Sequence, residues 1–200
     1  MKYATQEVIE KATVLFWQKG FQAAGMRDIQ DALDMRPGSI YARFKSKEGL
    51  FQLVVEHYVE NSKAKLNAVA EASSPCTALH TFFTHALINP EEYRFMRQCL
   101  LVKSITELDM IGEHGKHAVV EGMAALQQCF ASIVRRAIEC QELPNSTPVE
   151  LAANWLQNQF VGLRAFALME RDNAAIATMI DKVLIDLKTQ WPINRALSAH

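Results

Sequence analysis

Four cations fall within twelve residues, Arg36, Arg43, Lys45 and Lys47, and no acidic side chain stands among them. The hydroxyls of the same stretch include Ser39 and Tyr41, and Pro37-Gly38 follow its first arginine, with Arg27 a little upstream. Guanidinium and ammonium groups bind phosphate oxygens, and arginine also matches the O6 and N7 edge of guanine. Hydroxyls donate to phosphates or base edges. Gly38 and Ser39 are small enough to let backbone approach a sugar–phosphate chain. Residue types of this kind at this density are suited to double-stranded DNA. The net charge of -1 excludes a uniformly basic nucleic-acid binder but not a local patch. The first fifty residues hold eight Lys and Arg against six Asp and Glu, whereas the remainder hold thirteen against sixteen.

Other chemistry is weaker. His80 and His85, and His114 and His117, are the histidine pairs, and Glu113 with His117 has the i, i+4 spacing of two ligands on one helical face. Gly112 and Gly115 flank that region and predict a turn there, so no metal and no cofactor is expected. The four cysteines, Cys76, Cys99, Cys129 and Cys140, make no CxxC spacing and predict neither a zinc site nor a disulfide framework. Cys99 and Cys129 sit in apolar helical patterns and read as inert buried thiols. Arg97 beside Cys99 is the one cue for an activated thiol. No Ser/His/Asp set, Gly-rich phosphate loop or carboxylate pair occurs, which argues against an enzyme. An all-α enzyme or carrier that happens to contain a DNA-reading motif is the rival reading, and turnover would reveal it.

The elements that must position these groups are helical. Apolar residues recur at helical spacing throughout and nothing alternates as a strand would. The predicted helices span residues 5–19, 26–33, 37–44, 47–70, 77–88, 91–108, 116–139, 148–170 and 174–190. Gly20 stops the first. Pro37 suits the first turn of the third, where its missing N–H is no loss. Ser46 is an N-cap for the fourth. Thr147 and Glu150 predict a capping box with Pro148 at the first helical position, and Asp172 caps the last helix. The fold class is all-α: an N-terminal three-helix helix-turn-helix head on a C-terminal helical bundle, about nine helices in all. The N-terminus lacks the apolar run of a signal peptide, and no apolar stretch approaches the ~20 residues of a spanning helix. A cytoplasmic protein with no membrane partner is expected.

The run from Gly20-Phe21 through Gly25-Met26-Arg27-Asp28-Ile29 and Ala32-Leu33-Asp34-Met35-Arg36 to Pro37-Gly38-Ser39-Ile40-Tyr41-Ala42-Arg43-Phe44-Lys45-Ser46-Lys47-Glu48-Gly49-Leu50 resembles the N-terminal signature of the tetracycline-repressor (TetR/AcrR) family. The resemblance covers about 50 residues strongly, and every element of the family pattern from Gly38 to Leu50 is present. It implies a DNA-binding domain over residues 1–48, with the motif at about 25–44, and an all-helical ligand-binding and dimerisation domain over 49–200. Ser39 and Tyr41 would meet the groove and Lys47 a phosphate. Arg36 and Arg43 depart from the Ser or Thr and the His more usual in the family. Each can read guanine or hold a phosphate. Arg27, Pro37, Gly38 and Lys45 complete the candidate DNA surface.

The implied function is a ligand-responsive transcriptional regulator, a repressor released from a palindromic operator by a small molecule. The alternative within that class is a thiol-based redox or electrophile-sensing repressor. The implied partners are double-stranded operator DNA, a small-molecule effector and a second copy of the chain. Phe82, Met96, Cys99, Met123, Phe130 and Trp155 are candidates for the effector pocket. Gly162, Phe166, Met179 and Val183 are candidates for the dimer interface.

Overall fold

The computed structural model describes residues 5–88, 98–170, 172–189 and 191. Among them it holds nine α-helices and no strand. They are α1 (Thr5–Lys19), α2 (Met26–Leu33), α3 (Pro37–Phe44), α4 (Lys47–Ala70), α5 (Pro75–Ile88), α6 (Leu100–Ile105), α7 (Glu113–Glu139), α8 (Val149–Met169) and α9 (Asn173–Thr189). None of these helices is long and apolar enough to cross a membrane. The chain forms two compact units: Met1–Ser62 with Gln98–Ala125, and Lys63–Arg97 with Leu126–His200. Helices α4 and α7 therefore give residues to both.

In the first unit the apolar stripe of α1 (Val8, Ala12, Leu15, Phe16) is buried. Phe16, Phe21 and Phe51 meet ring to ring, with centroids 5.0–6.3 Å apart. Helices α1, α2 and α3 pack in succession, and Ile29, Leu33, Ile40 and Phe44 close the core beneath the motif. The start of α4, α6 and the start of α7 belong to the same compact unit as these three helices. A Cβ on Gly115 would lie 3.3 Å from Phe51 Cδ1 and 2.5 Å from Ile111 Cγ2. Gly115 is thus a place of close helix approach inside α7, not the turn its sequence predicts. The predicted helix over 91–108 is also shorter where it is described. Cys99 is extended and α6 starts only at Leu100. The Gln98 carbonyl accepts Trp17 Nε1–H at 2.7 Å.

In the second unit α5, α8 and α9 pack on one another, and Phe82, Phe83 and Phe130 gather around Phe160. Helix α5 begins at Pro75, two residues earlier than expected. Its first turn is completed from afar: the Glu142 carboxylate accepts the Cys76 N–H at 2.7 Å and the Ser74 hydroxyl. Asp172 caps α9 by accepting the Ala174 N–H at 2.9 Å. The expected capping box at α8 does not form. Pro148 is the N-cap, the Thr147 hydroxyl is buried with no partner among the described residues, and Glu150 turns instead to Arg135 at 3.0 Å.

Candidate nucleic-acid interface

Helix α3 is two turns long, and its spacing sorts inside from outside. Ile40 and Phe44, one turn apart, are buried. Pro37, Gly38, Ser39, Tyr41 and Ala42 are exposed, Tyr41 by 49%. Among the described residues, a Cβ on Gly38 would meet no atom within 4 Å beyond the helix's own backbone. Packing among the described residues therefore gives no reason for a glycine at that position. Asp34 turns the chain into the motif from the left-handed region (φ 50°), which a short polar side chain tolerates better than most. Arg36, extended, leads into α3 by accepting the Ser39 and Ile40 N–H groups on its carbonyl.

The exit from α3 is tighter. Lys45 lies at φ 68°, and the Ser46 N–H reaches back to the Phe44 carbonyl at 2.8 Å, a γ-turn with a strained central residue. Ser46 then caps α4 by accepting the Gly49 N–H at 3.1 Å. This turn leaves the Lys45 side chain exposed and brings Lys47 round to the α1–α2 turn. Lys47 Nζ sits 4.4 Å from the centre of the Phe21 ring and donates to the Gln22 carbonyl at 3.4 Å. Burial pulls its ammonium below the usual lysine value, while Glu107, Glu48 and Asp28 push it back. The Arg43 guanidinium lies 5.4 Å over Phe44. Arg27 is exposed on α2. Beside it Asp28 links Lys19, at 2.6 Å, to the Gly25 N–H that opens α2, and these bonds hold its carboxyl below the usual range.

All nine candidate DNA-binding residues thus lie in the first unit. The pocket candidates are divided between the two units. Phe82 and Phe130 both meet Phe160, at 5.2 and 6.1 Å, but Trp155 stacks edge-on against Trp191 at 6.3 Å. Cys99 and Met123 belong to the first unit, and Met96 lies outside the described residues. An open cleft of about 500 Å³ in the second unit is lined by Ala70, Glu71, Ser132, Arg135, Arg136 and Glu139, none of them a sequence candidate. Both arginines in it are ion-paired, Arg135 with Glu150 and Arg136 with Glu139, each at 3.0 Å. Of the interface candidates, Gly162, Phe166 and Met179 are exposed, but Val183 is only 5% exposed and belongs to the core of its own unit.

Glu113 and His117 do share a helix, contrary to the turn expected there, and both are exposed. No cluster of three or more His, Cys, Asp or Glu that could hold a metal occurs among the described residues. His80 pairs with Asp181 at 2.9 Å. Cys99 is buried and its sulfur accepts the Tyr58 hydroxyl at 3.4 Å. Arg97 lies outside the described residues. The Cys76 thiol is pushed up to about 12, first by burial and then by Glu142. At pH 8 its thiolate is therefore only about one part in ten thousand. Iodoacetamide at that pH should leave Cys76 unmodified over a time that labels half-buried Cys140. Peptide mass mapping reads this, and equal labelling of the two would refute the burial argument.

The sequence motif missed one group of residues altogether. Lys103 and Glu107, far along the chain, grip the end of α1 and the turn that follows it. Their i, i+4 spacing with opposite charges was a legible signal, but it named no partner.

A short outward-facing helix with a basic edge, carried on a three-helix head and joined to a helical body, is the architecture of a helix-turn-helix regulator. The comparisons agree. A model described as "Bacterial regulatory proteins, tetR family" matches residues 8–54, and one described as "Tetracyclin repressor-like, C-terminal domain" matches residues 75–183. The chain belongs to the tetR family of bacterial regulatory proteins. It is 36% identical over 77 residues to the HTH-type transcriptional repressor ComR of Escherichia coli, covering 38% of this chain and 37% of that protein. It is 38% identical over 74 residues to the repressor BdcR of the same organism, covering 37% and 38%. The chain thus matches well under half the length of either relative. A cysteine variant of the regulator CifR, solved with a 26-base-pair operator duplex, has the same fold at a TM-score of 0.78 and 22% identity, over 96% of this chain and 99% of that one.

Proposed function

We propose that the chain is a transcriptional repressor that binds a palindromic operator as a two-fold dimer and leaves it when a small molecule binds. Residues 1–48 would supply the DNA-binding domain, and 49–200 the effector and dimerisation domain. The observation that carries the DNA reading is the division of α3. Ile40 and Phe44 anchor it, while Gly38, Ser39 and Tyr41 stand free beside Arg36 and Lys45. An α-helix fits the major groove, and a short one presents three or four side chains to base edges. Two heads about 34 Å apart would read successive turns of one face of the duplex. Effector and operator would oppose each other by a coupling of about 1–3 kcal/mol. Membership of a regulator family and the operator duplex bound by CifR support the reading. Selecting bound duplexes from a random pool with the purified protein tests it: half-sites of a palindrome spaced by one helical turn are expected, and enrichment of no sequence would overturn it.

Two substitutions test the surface itself. Lys47→Ala should weaken binding to every DNA sequence and make the salt slope shallower by about one unit. Tyr41→Ala should weaken binding to the selected duplex while leaving the melting temperature in place, since half of the side chain is already in solvent. Fluorescence anisotropy across a salt series separates the two effects. Parent-like binding by both variants would mean that α3 is not the reading helix. Against the thiol-sensing alternative stands the burial of Cys99, whose sulfur takes the Tyr58 hydroxyl.

A further inference from the structure

Residues 98–107 lie outside the segment that matches the family's DNA-binding model, yet they hold the end of α1 and the α1–α2 turn by five hydrogen bonds. Lys103 Nζ donates to the carbonyls of Trp17 and Gln18, at 2.9 and 2.8 Å. These belong to the last turn of α1, where unpaired carbonyls and the helix dipole favour a cation. The Glu107 carboxylate accepts the N–H groups of Phe21 and Gln22 just beyond, at 2.7 and 3.3 Å. Trp17 Nε1–H supplies the fifth bond, to the Gln98 carbonyl. Gly20 makes room for the carboxylate. It lies at φ +85°, and a Cβ there would stand 2.9 Å from both Glu107 oxygens.

The other side of the same turn faces Lys47. Phe21 gives its N–H to Glu107 and its ring to Lys47 Nζ. Gln22 gives its N–H to Glu107 and its carbonyl to Lys47 Nζ. Two consecutive residues thus each tie the carboxylate to the ammonium, Phe21 through its ring and Gln22 through its backbone. We propose that Glu107, supported by Lys103, is a positioning residue for DNA binding: it fixes the α1–α2 turn and, through Phe21 and Gln22, the place of the Lys47 ammonium at the phosphate. The inference rests on the proposed role of Lys47 and extends the binding machinery to a residue sixty positions away. Charge acts in the same direction as geometry. Burial works against the Lys47 cation, and Glu107 is first among the charges that favour it.

A double-mutant cycle tests this against a merely structural pin. The probe is a fluorescent duplex enriched from a random pool by the unaltered protein, titrated over a salt series. Glu107→Gln should weaken binding about tenfold and lower the salt slope by about one, as loss of a phosphate contact does. Lys47→Ala should then add little in the Glu107→Gln background, because residues acting as a unit are not additive. Additive losses, or a fall in melting temperature with the salt slope unchanged, would overturn the proposal. Lys47→Ala binding like the parent would instead refute the phosphate role on which it rests. Circular dichroism checks that the variants fold. If Glu107→Gln does not, Glu107→Asp, which keeps the charge but lacks the reach to both N–H groups, takes its place in the cycle with the same expected outcomes.

Discussion

Replacing Gly49 by Ala should lower the melting temperature by roughly 6–12 °C, at about 2–4 °C per kcal/mol for a chain of this size. The added methyl would lie 2.2 Å from the Phe44 carbonyl oxygen, which is backbone and cannot swing aside as a side chain can. Relief requires α3 to move away from α4. That movement is opposed on both sides: Phe44 is buried in the core, and Lys45 is already held at φ 68° by the γ-turn and the cap at Ser46. Over-packing of this kind costs about 3 kcal/mol. Because the displaced element is the proposed reading helix, binding to selected duplexes should fall as well. Gly38→Ala is the matched control. Its new methyl meets nothing within 4 Å, and alanine favours a helix over glycine by about 0.5–1 kcal/mol, so stability should hold or rise. If Gly38 is small so that backbone can approach DNA, the control stays stable but binds duplex more weakly. Thermal denaturation and anisotropy on the two variants decide the matter, and an unchanged melting temperature for Gly49→Ala would refute the clash.

What the sequence revealed and what it hid divide along range. The bounds of α2, α3 and α4 are local matters, set by Pro37 at a first turn, by a polar residue at Asp34 and by the Ser46 cap, and pattern alone located them. Asp172 is local in the same sense. Thr147 and Glu150 also make a local signal, but Arg135, fifteen residues upstream, outcompetes the N-cap for Glu150. The glutamate's half of a capping box is one hydrogen bond, so a charged neighbour easily diverts it. Gly115 deceived for a related reason: a glycine reads as a turn locally, whereas here it answers to the side chains of Phe51 and Ile111. Glu142 at the start of α5 and Glu107 at the α1–α2 turn bridge 66 and 86 residues, and no periodicity announces such partners. The stripe of α9 shows the finer limit. Its spacing grouped Ile176, Met179, Ile180, Val183 and Leu187, but only Met179 turns out to be exposed, because spacing finds an apolar face without telling which edge of it the chain's own core will use.

That exposed edge leads to the substitution with the largest expected effect, Gly162→Arg, which should give a folded monomer that no longer binds operator. Helix α8 buries Leu156, Phe160, Leu163 and Ala167 in its own unit. Its opposite side is nonetheless open and largely apolar: Leu151, Gly162, Ala165 and Phe166 are exposed beside Asn154 and Asn158, and Met169 is 82% exposed. Met179 and Ile185 on α9 are exposed as well. A helix that is apolar on more than one side has a second surface to cover. If a second copy of the chain covers it, as we propose, Gly162 stands where two helices approach most closely. Among the described residues nothing beyond α8's own backbone lies within 4 Å of a Cβ at Gly162, so an arginine there costs the isolated protomer little. In the dimer the same guanidinium would be buried without a partner, at about 3–5 kcal/mol, and a two-fold axis brings in a second one facing it. Loss of the dimer removes operator binding because one two-turn helix touches too few base pairs to single out a site among a genome's competitors. Sedimentation velocity with circular dichroism separates the outcomes. A monomer with parent-like helicity is expected. An intact dimer for Gly162→Arg would move the interface off α8, and a parent that is itself monomeric at micromolar concentration would end the two-headed mechanism.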